Sequence, residues 1–177
     1  MTFPPSHSSI LPWIVAPSRS RLRAASFLQQ SLAVTIPRLV LDTHVWLDWL
    51  VFEDPGIVRI RNAVGTGRVE VYIDAVCEEE LVRVLARGFA KRALDAQAQA
   101  AALAACRRLA KRIDSAAPSD ARAGLPRCGD PDDQKFLEAA LAANAQFLIT
   151  KDRKLLDLAR KRGVPFRIVR PEEFGRN

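Results

Sequence analysis

The sequence predicts an α/β fold, a parallel sheet with helices on both of its faces. Three observations carry this expectation. Short apolar runs recur at roughly regular intervals, helical patterns separate them, and 49% of the 177 residues are hydrophobic at near-neutral mean hydropathy, enough for a buried core. The length fits one domain or one domain with a tail. Ile10–Pro17 is short and holds two prolines, and no longer apolar run exists, so no membrane-spanning helix is expected and the protein reads as soluble and cytoplasmic.

In chain order, prolines at 4, 5, 12, 17 and 37 punctuate a Ser-rich stretch, and residues 1–37 are expected to be a disordered extension before a domain spanning 38–177. Leu39-Val40-Leu41 reads as a buried strand, and Asp42-Thr43 as the polar start of a helix carrying Val45, Trp46, Leu47, Trp49 and Leu50. A helix from Pro55 to about Val64 closes at Gly65-Thr66-Gly67, and Val69–Ile73 alternates as a strand. Asp74 is a natural cap for a helix Ala75–Arg87 that Gly88 stops. Lys91–Ile113 reads as one long Ala-rich helix, because Leu94, Ala98, Ala102, Cys106, Leu109 and Ile113 recur at three- and four-residue steps. Pro118–Pro126 reads as a loop and Arg127–Pro131 as a turn into a helix through Phe136, Leu137, Ala140 and Leu141. Gln146–Ile149 is a third strand, Asp152–Arg162 a helix stopped by Gly163, Phe166–Val169 a fourth strand and Pro171–Phe174 a terminal helical turn.

Charge and cysteine usage narrow the function only a little. The formal charge is +7, but residues 1–37 hold three arginines and no acid, so the domain itself is modestly basic. That suits a phosphate-rich partner and is also common in ordinary proteins. Cys77, Cys106 and Cys128 are widely spaced and odd in number, which suggests neither a disulfide framework nor a zinc knuckle. His7 and His44 are the only histidines, so a multi-histidine zinc site or a histidine pair for acid–base catalysis cannot be assembled. The sequence also lacks a Gly-rich phosphate loop, GxGxxG and a nucleophile elbow, which excludes P-loop, dinucleotide and serine-hydrolase chemistry.

In a parallel sheet, ligands bind beyond the carboxyl ends of the strands. Here those positions are acidic: Asp42 after the first strand, Asp74 after the second, Asp152 after Thr150 and the third, with Asp130, Asp132 and Asp133 opening the preceding helix. Any one of these aspartates is explained by helix capping, worth about 0.5–2 kcal/mol. Several together repel one another unless a cation sits among them, and a hard divalent ion, Mg²⁺ or Mn²⁺, is the natural occupant. On the helix after Asp74, Glu80 is best aimed inward, Glu78 borders the other side of the buried stripe and Glu79 points to solvent. Arg83, Arg87, Arg127, Lys151 and Arg153 flank the acids as candidate phosphate contacts, although most such charges simply solvate a surface. Trp46 and Trp49, three residues apart, read as core or homodimer contacts.

Leu39–Val45, Glu79-Glu80-Leu81, Asp130–Leu137 and Leu148–Asp152, followed by Pro171-Glu172-Glu173-Phe174, resemble in order and spacing the motifs of PIN domains, and most closely those of bacterial toxin components of toxin–antitoxin systems. The resemblance spans about Arg38 to Phe174. It implies a three-layer α/β/α domain with an acidic pocket that binds Mg²⁺ or Mn²⁺ and hydrolyses RNA phosphodiesters with metal-activated water, and a small antitoxin protein as partner. Residue by residue, the family's catalytic and metal-binding acids fall on Asp42, Glu80, Asp133 and Asp152, with Thr43, His44, Asp130 and Thr150 in support. His44 stands where the family most often has Asn, and Asp74 where Ser is common. Two other readings stay open: an idle nucleic-acid-binding or assembly module of the same fold, and a receiver- or phosphatase-like domain with an Asp nucleophile.

Overall fold

In the computed structural model the described residues are 35–89 and 94–176. The described residues from Ile36 onward belong to one compact unit. The extension expected over residues 1–37 lies, as far as residue 34, outside the described residues.

That unit is built on five parallel strands, β1 (Arg38–Leu41), β2 (Glu70–Ile73), β3 (Ala110–Arg112), β4 (Phe147–Ile149) and β5 (Arg167–Val169), in the order β3-β2-β1-β4-β5. Successive residues of a strand point to opposite faces. Leu39, Val40 and Leu41 are all 1% exposed or less, so helices cover both faces of the central strand, and the fold is a three-layer α/β/α sandwich. The apolar, β-branched content that makes β1, β2, β4 and β5 strands is the same content that fills the core.

Asp42 ends β1 and caps α1 (Thr43–Leu47), accepting from the Val45 amide at 2.8 Å, and a π-helical turn Asp48–Phe52 extends that helix. Pro55–Ile57 and α2 (Val58–Gly65) lead to β2. Asp74 accepts from the Cys77 amide at 2.8 Å and so caps α3 (Ala75–Arg87), which ends at Gly88 with φ 69°. Asp95 caps α4 (Ala96–Leu109), and α5 (Ser119–Ala123), a turn Pro131–Asp133 and α6 (Gln134–Ala142) precede β4. Asp152 caps the short α7 (Arg153–Leu156), and Pro171–Glu173 closes the chain after β5.

Three expectations are corrected. Of the helix expected over Lys91–Ile113, residues 91–93 lie outside the described residues, and the helix observed starts only at Ala96, capped by Asp95, and stops at Leu109, where Ala110–Arg112 becomes β3. Its backbone completes the edge of β2, with Val71, Tyr72 and Ile73 opposite Ala110, Lys111 and Arg112 and the Ile113 amide donating to the Ile73 carbonyl at 2.9 Å. Sheet pairing overrides the helical periodicity there. The helix expected over Asp152–Arg162 is regular only for Arg153–Leu156 and continues as tight turns, the Leu158, Ala159 and Lys161 amides each donating three residues back. The loop Pro118–Pro126 contains the one-turn helix α5.

Candidate active site

The order β3-β2-β1-β4-β5 reverses direction between β1 and β4, and the crevice of such a sheet opens beyond the carboxyl ends of those two strands. Asp42 and Thr150 stand there side by side, the Asp42 amide donating to the Ile149 carbonyl at 3.0 Å. The Asp42 side chain, 2% exposed, has both oxygens engaged: Oδ1 by the Val45 amide, Oδ2 by the Thr150 hydroxyl and by the Lys151 amide at 3.3 Å. Burial pushes its carboxyl above the ordinary aspartate value, against the pull of those hydrogen bonds and of the His44 charge. Thr150, wholly buried, is the joint between two acids. Its Oγ1 donates to Asp42 and accepts from the Asp152 amide at 2.9 Å, while Asp152 Oδ1 caps α7 through the Lys154 and Leu155 amides.

A second linkage comes from α3. Glu80 points toward α1, where its Oε1 accepts from the Thr43 hydroxyl at 2.9 Å, and its Oε2 pairs with the Lys135 ammonium. Lys135 also donates to the Asp132 carbonyl and lies over the Phe136 ring. Asp133, at the start of α6, is pushed up to about 6 by burial and by the charges of Asp152, Asp130 and Glu80, with Lys135 pulling the other way. Asp130 sits at the rim, held below the ordinary aspartate value by its bond from Lys154 at 2.8 Å. Asp133, Asp152, Asp130 and Glu80 therefore share one electrostatic environment, and Thr150 ties Asp42 to Asp152.

Among the described residues no three His, Cys, Asp or Glu side chains stand close enough together to hold a metal ion in this arrangement. The chemistry of the donor set nevertheless fits a hard divalent cation. It is all carboxylate and hydroxyl oxygen, one carboxyl is raised by burial and by its like-charged neighbours, and a lysine ammonium occupies a cation's place against Glu80.

The remaining candidates separate. His44 is exposed, its side chain makes no hydrogen bond among the described residues, and the bracing expected of it falls to Thr150 and the Val45 amide. It lines a cavity of about 310 Å³ with Asp48, Phe52, Lys151 and Asp152. Lys151 turns to Asp48 at 2.6 Å and Asp54 at 3.0 Å; burial opposes its charge, and the two carboxylates still hold it above the usual lysine range. Arg83, Arg87, Arg127 and Arg153 are exposed, and Trp46 stacks on Trp49 at 5.8 Å in the core. Glu78, which the sequence places on the other border of the buried stripe of α3, is 6% exposed and binds Arg107 and Arg112 on the side away from Glu80. The placements of Lys135 and Glu78 were missed because their partners are remote in sequence, although a lone lysine within Asp130–Asp133-Gln134-Lys135 is a visible signal for the first.

No helix among the described residues is long and apolar enough to cross a membrane. No curated protein matches the sequence. The profile of the PIN domain matches residues 38–154, from β1 to the residues that follow the acid after β4. PIN domains are in general nucleases, and with more than half of its length matched, this chain belongs to the PIN-domain family.

Proposed function

We propose that the chain is a metal-dependent endoribonuclease and the toxin component of a toxin–antitoxin module. The observation that carries this reading is the junction at Thr150, whose buried hydroxyl donates to Asp42 and accepts from the Asp152 amide, while Asp133 is raised to about 6 by burial and by the charges of Asp152, Asp130 and Glu80. A divalent cation would offset both the burial and the mutual repulsion of these carboxylates. Asp42, Glu80, Asp133 and Asp152 would hold Mg²⁺ or Mn²⁺. When bound, such an ion activates water as a nucleophile and neutralises charge developing on the phosphate. The chain's own residues do the positioning: Thr150 fixes Asp42 relative to Asp152, Thr43 fixes Glu80, and Lys135 balances the acids. The antitoxin would be a small protein that covers this acidic edge, a role supported by the resemblance of the motifs to bacterial toxins.

The Lys135–Glu80 contact favours a second reading, an idle nucleic-acid-binding module in which the lysine fills the cation's place permanently. Cleavage of labelled single-stranded RNA separates the two. The ribonuclease reading expects cleavage with Mg²⁺ or Mn²⁺, none in excess chelator, and a loss in Asp42→Asn beyond the roughly 10–100-fold typical of residues that merely orient a ligand. Unchanged cleavage in chelator or in a folded Asp42→Asn protein would overturn it.

A further inference from the structure

Helix α3 presents two acids to two different neighbours. Glu80 serves the acidic site, and Glu78 serves the edge of the sheet. The buried Glu78 Oε1 accepts from Arg107 Nε at 2.9 Å and Nη2 at 2.5 Å, and its Oε2 accepts from Arg112 Nη1 at 3.0 Å. Each guanidinium is fixed by this one carboxylate, and each keeps N–H groups that bond nothing else among the described residues. Both arginine side chains stay more than half exposed, at 59% and 52%. With Arg83, Val82 and Glu79 they line a groove of about 600 Å³. Arg83 reaches it tethered only by a long 3.4 Å bond from its Nε to the Glu79 carbonyl.

We propose that this groove is a phosphate-binding subsite for the RNA strand, away from the scissile bond; the proposal rests on the ribonuclease reading. Three guanidiniums outnumber the two carboxylates present, and one carboxylate is already spent inside the protein as a brace. A guanidinium fork matches the geometry of a phosphate, and a fork held in place loses little further freedom on binding. Position supports the same partner. Arg112 is level with Ile73 in the β2–β3 register, so it ends β3 on the carboxyl edge where Asp42 ends β1 and Asp152 follows β4. α3 bears Glu80 toward the acids and Glu78, Glu79, Val82 and Arg83 toward the groove, and a helix with its side chains is about 10–12 Å across. An RNA strand extending from the acids over the first turn of α3 therefore enters the groove. An acidic protein segment would meet the same charges but little apolar surface to anchor it, Val82 and Ala75 being the apolar side chains among the described residues that line the groove.

The test is the salt dependence of binding of a fluorescent uridine homopolymer to the full chain in chelator, so that no strand is cut. Removing both arginines alone would strand the buried Glu78, so the variant is E78Q/R107Q/R112Q, with R83Q as a second that leaves the brace intact. Each lost contact to a single strand lowers the slope of log K against log[salt] by about 0.7, so the triple variant should lose about 1.4 and R83Q about 0.7. R59Q, which removes an exposed arginine from α2, should leave the slope unchanged. Groove variants that match R59Q, with wild type binding normally, would overturn the subsite and leave the ribonuclease reading standing. Wild type that binds no RNA in chelator would overturn the subsite, and wild type that also fails to cleave RNA with Mg²⁺ or Mn²⁺ would overturn both.

Discussion

Thr150 is where the chemistry of single residues is most concentrated, because one wholly buried hydroxyl serves two acids at once. Thr150→Val keeps the shape and removes the donor to Asp42 and the acceptor for the Asp152 amide. The expected result is a loss of about 1–3 kcal/mol in stability, read from the urea midpoint, and about 10–100-fold in RNA cleavage, with Thr150→Ser restoring much of both. A Thr150→Val protein as stable and active as wild type would deny the hydroxyl any role. Asp133 makes a pH prediction. Its folded value of about 6 lies above the ordinary 3.8, so between those values the folded state binds more protons than the unfolded state. Its contribution to stability therefore falls as pH rises through that window, and Asp133→Asn, which cannot ionise, should gain on wild type across it in thermal melts. Cation binding needs the ionised form, so stabilisation by Mn²⁺ should grow over the same range; a metal shift that is flat from pH 4 to 7 would remove Asp133 from the ligand set. At this scale the sequence is legible where a residue's role is local. Asp42 and Asp74 as helix caps follow from strand–Asp–helix order alone. Glu78 with Arg107 and Arg112, or Lys135 with Glu80, depends on how separate helices meet, which no spacing encodes.

Among the elements, the segment after α7 shows how a glycine can be read correctly and for too little. The sequence marks Gly163 as a helix stop, and it does have φ +89°. Its larger role is close approach, since a Cβ there would lie 2.4 Å from the Gly124 carbonyl at the end of α5. Gly175, at φ +72° with open space around it, is the natural comparison. Gly163→Ala should cost more than the roughly 1 kcal/mol expected from backbone conformation alone, while Gly175→Ala should cost no more than that, both measured by urea denaturation. Equal losses would mean that α5 gives way freely. The same contrast explains which elements the sequence discloses. β1, β2, β4 and β5 are apolar runs between turn residues, so their own composition marks them. Ala110-Lys111-Arg112 has no such composition and continues the period of α4; it is a strand because β2 offers an open edge. The tight turns after Leu156 escape for a related reason: nothing in Asp157–Arg162 forbids a helix, and the close approach of Gly163 to Gly124 is a contact remote in sequence.

For the whole molecule, the decisive question is how much of the chain the nuclease fold requires. The unit from Ile36 to Asn177 contains all five strands, a continuous core and each of the four acids. β1 lies in the middle of the sheet, paired on one side with β2 and on the other with β4, so no further strand is needed to complete it. Pro37 still contributes, its carbonyl accepting from the Glu70 amide at 2.9 Å, which places the shortest sound start just before it. A chain beginning at Ile36 should therefore melt in one cooperative transition within about 2–4 °C of the full-length protein, the shift that about 1 kcal/mol produces in domains of this order of size. It should also cleave RNA at the full-length rate. Its affinity for RNA should fall modestly at low salt, because residues 1–35 carry Arg19, Arg21 and Arg23 with no acid, and that difference should vanish as salt screens it. A shortened chain that melts without cooperativity would show that residues 1–35 complete the core. One that folds but loses cleavage at every salt concentration would place part of the catalytic machinery in them.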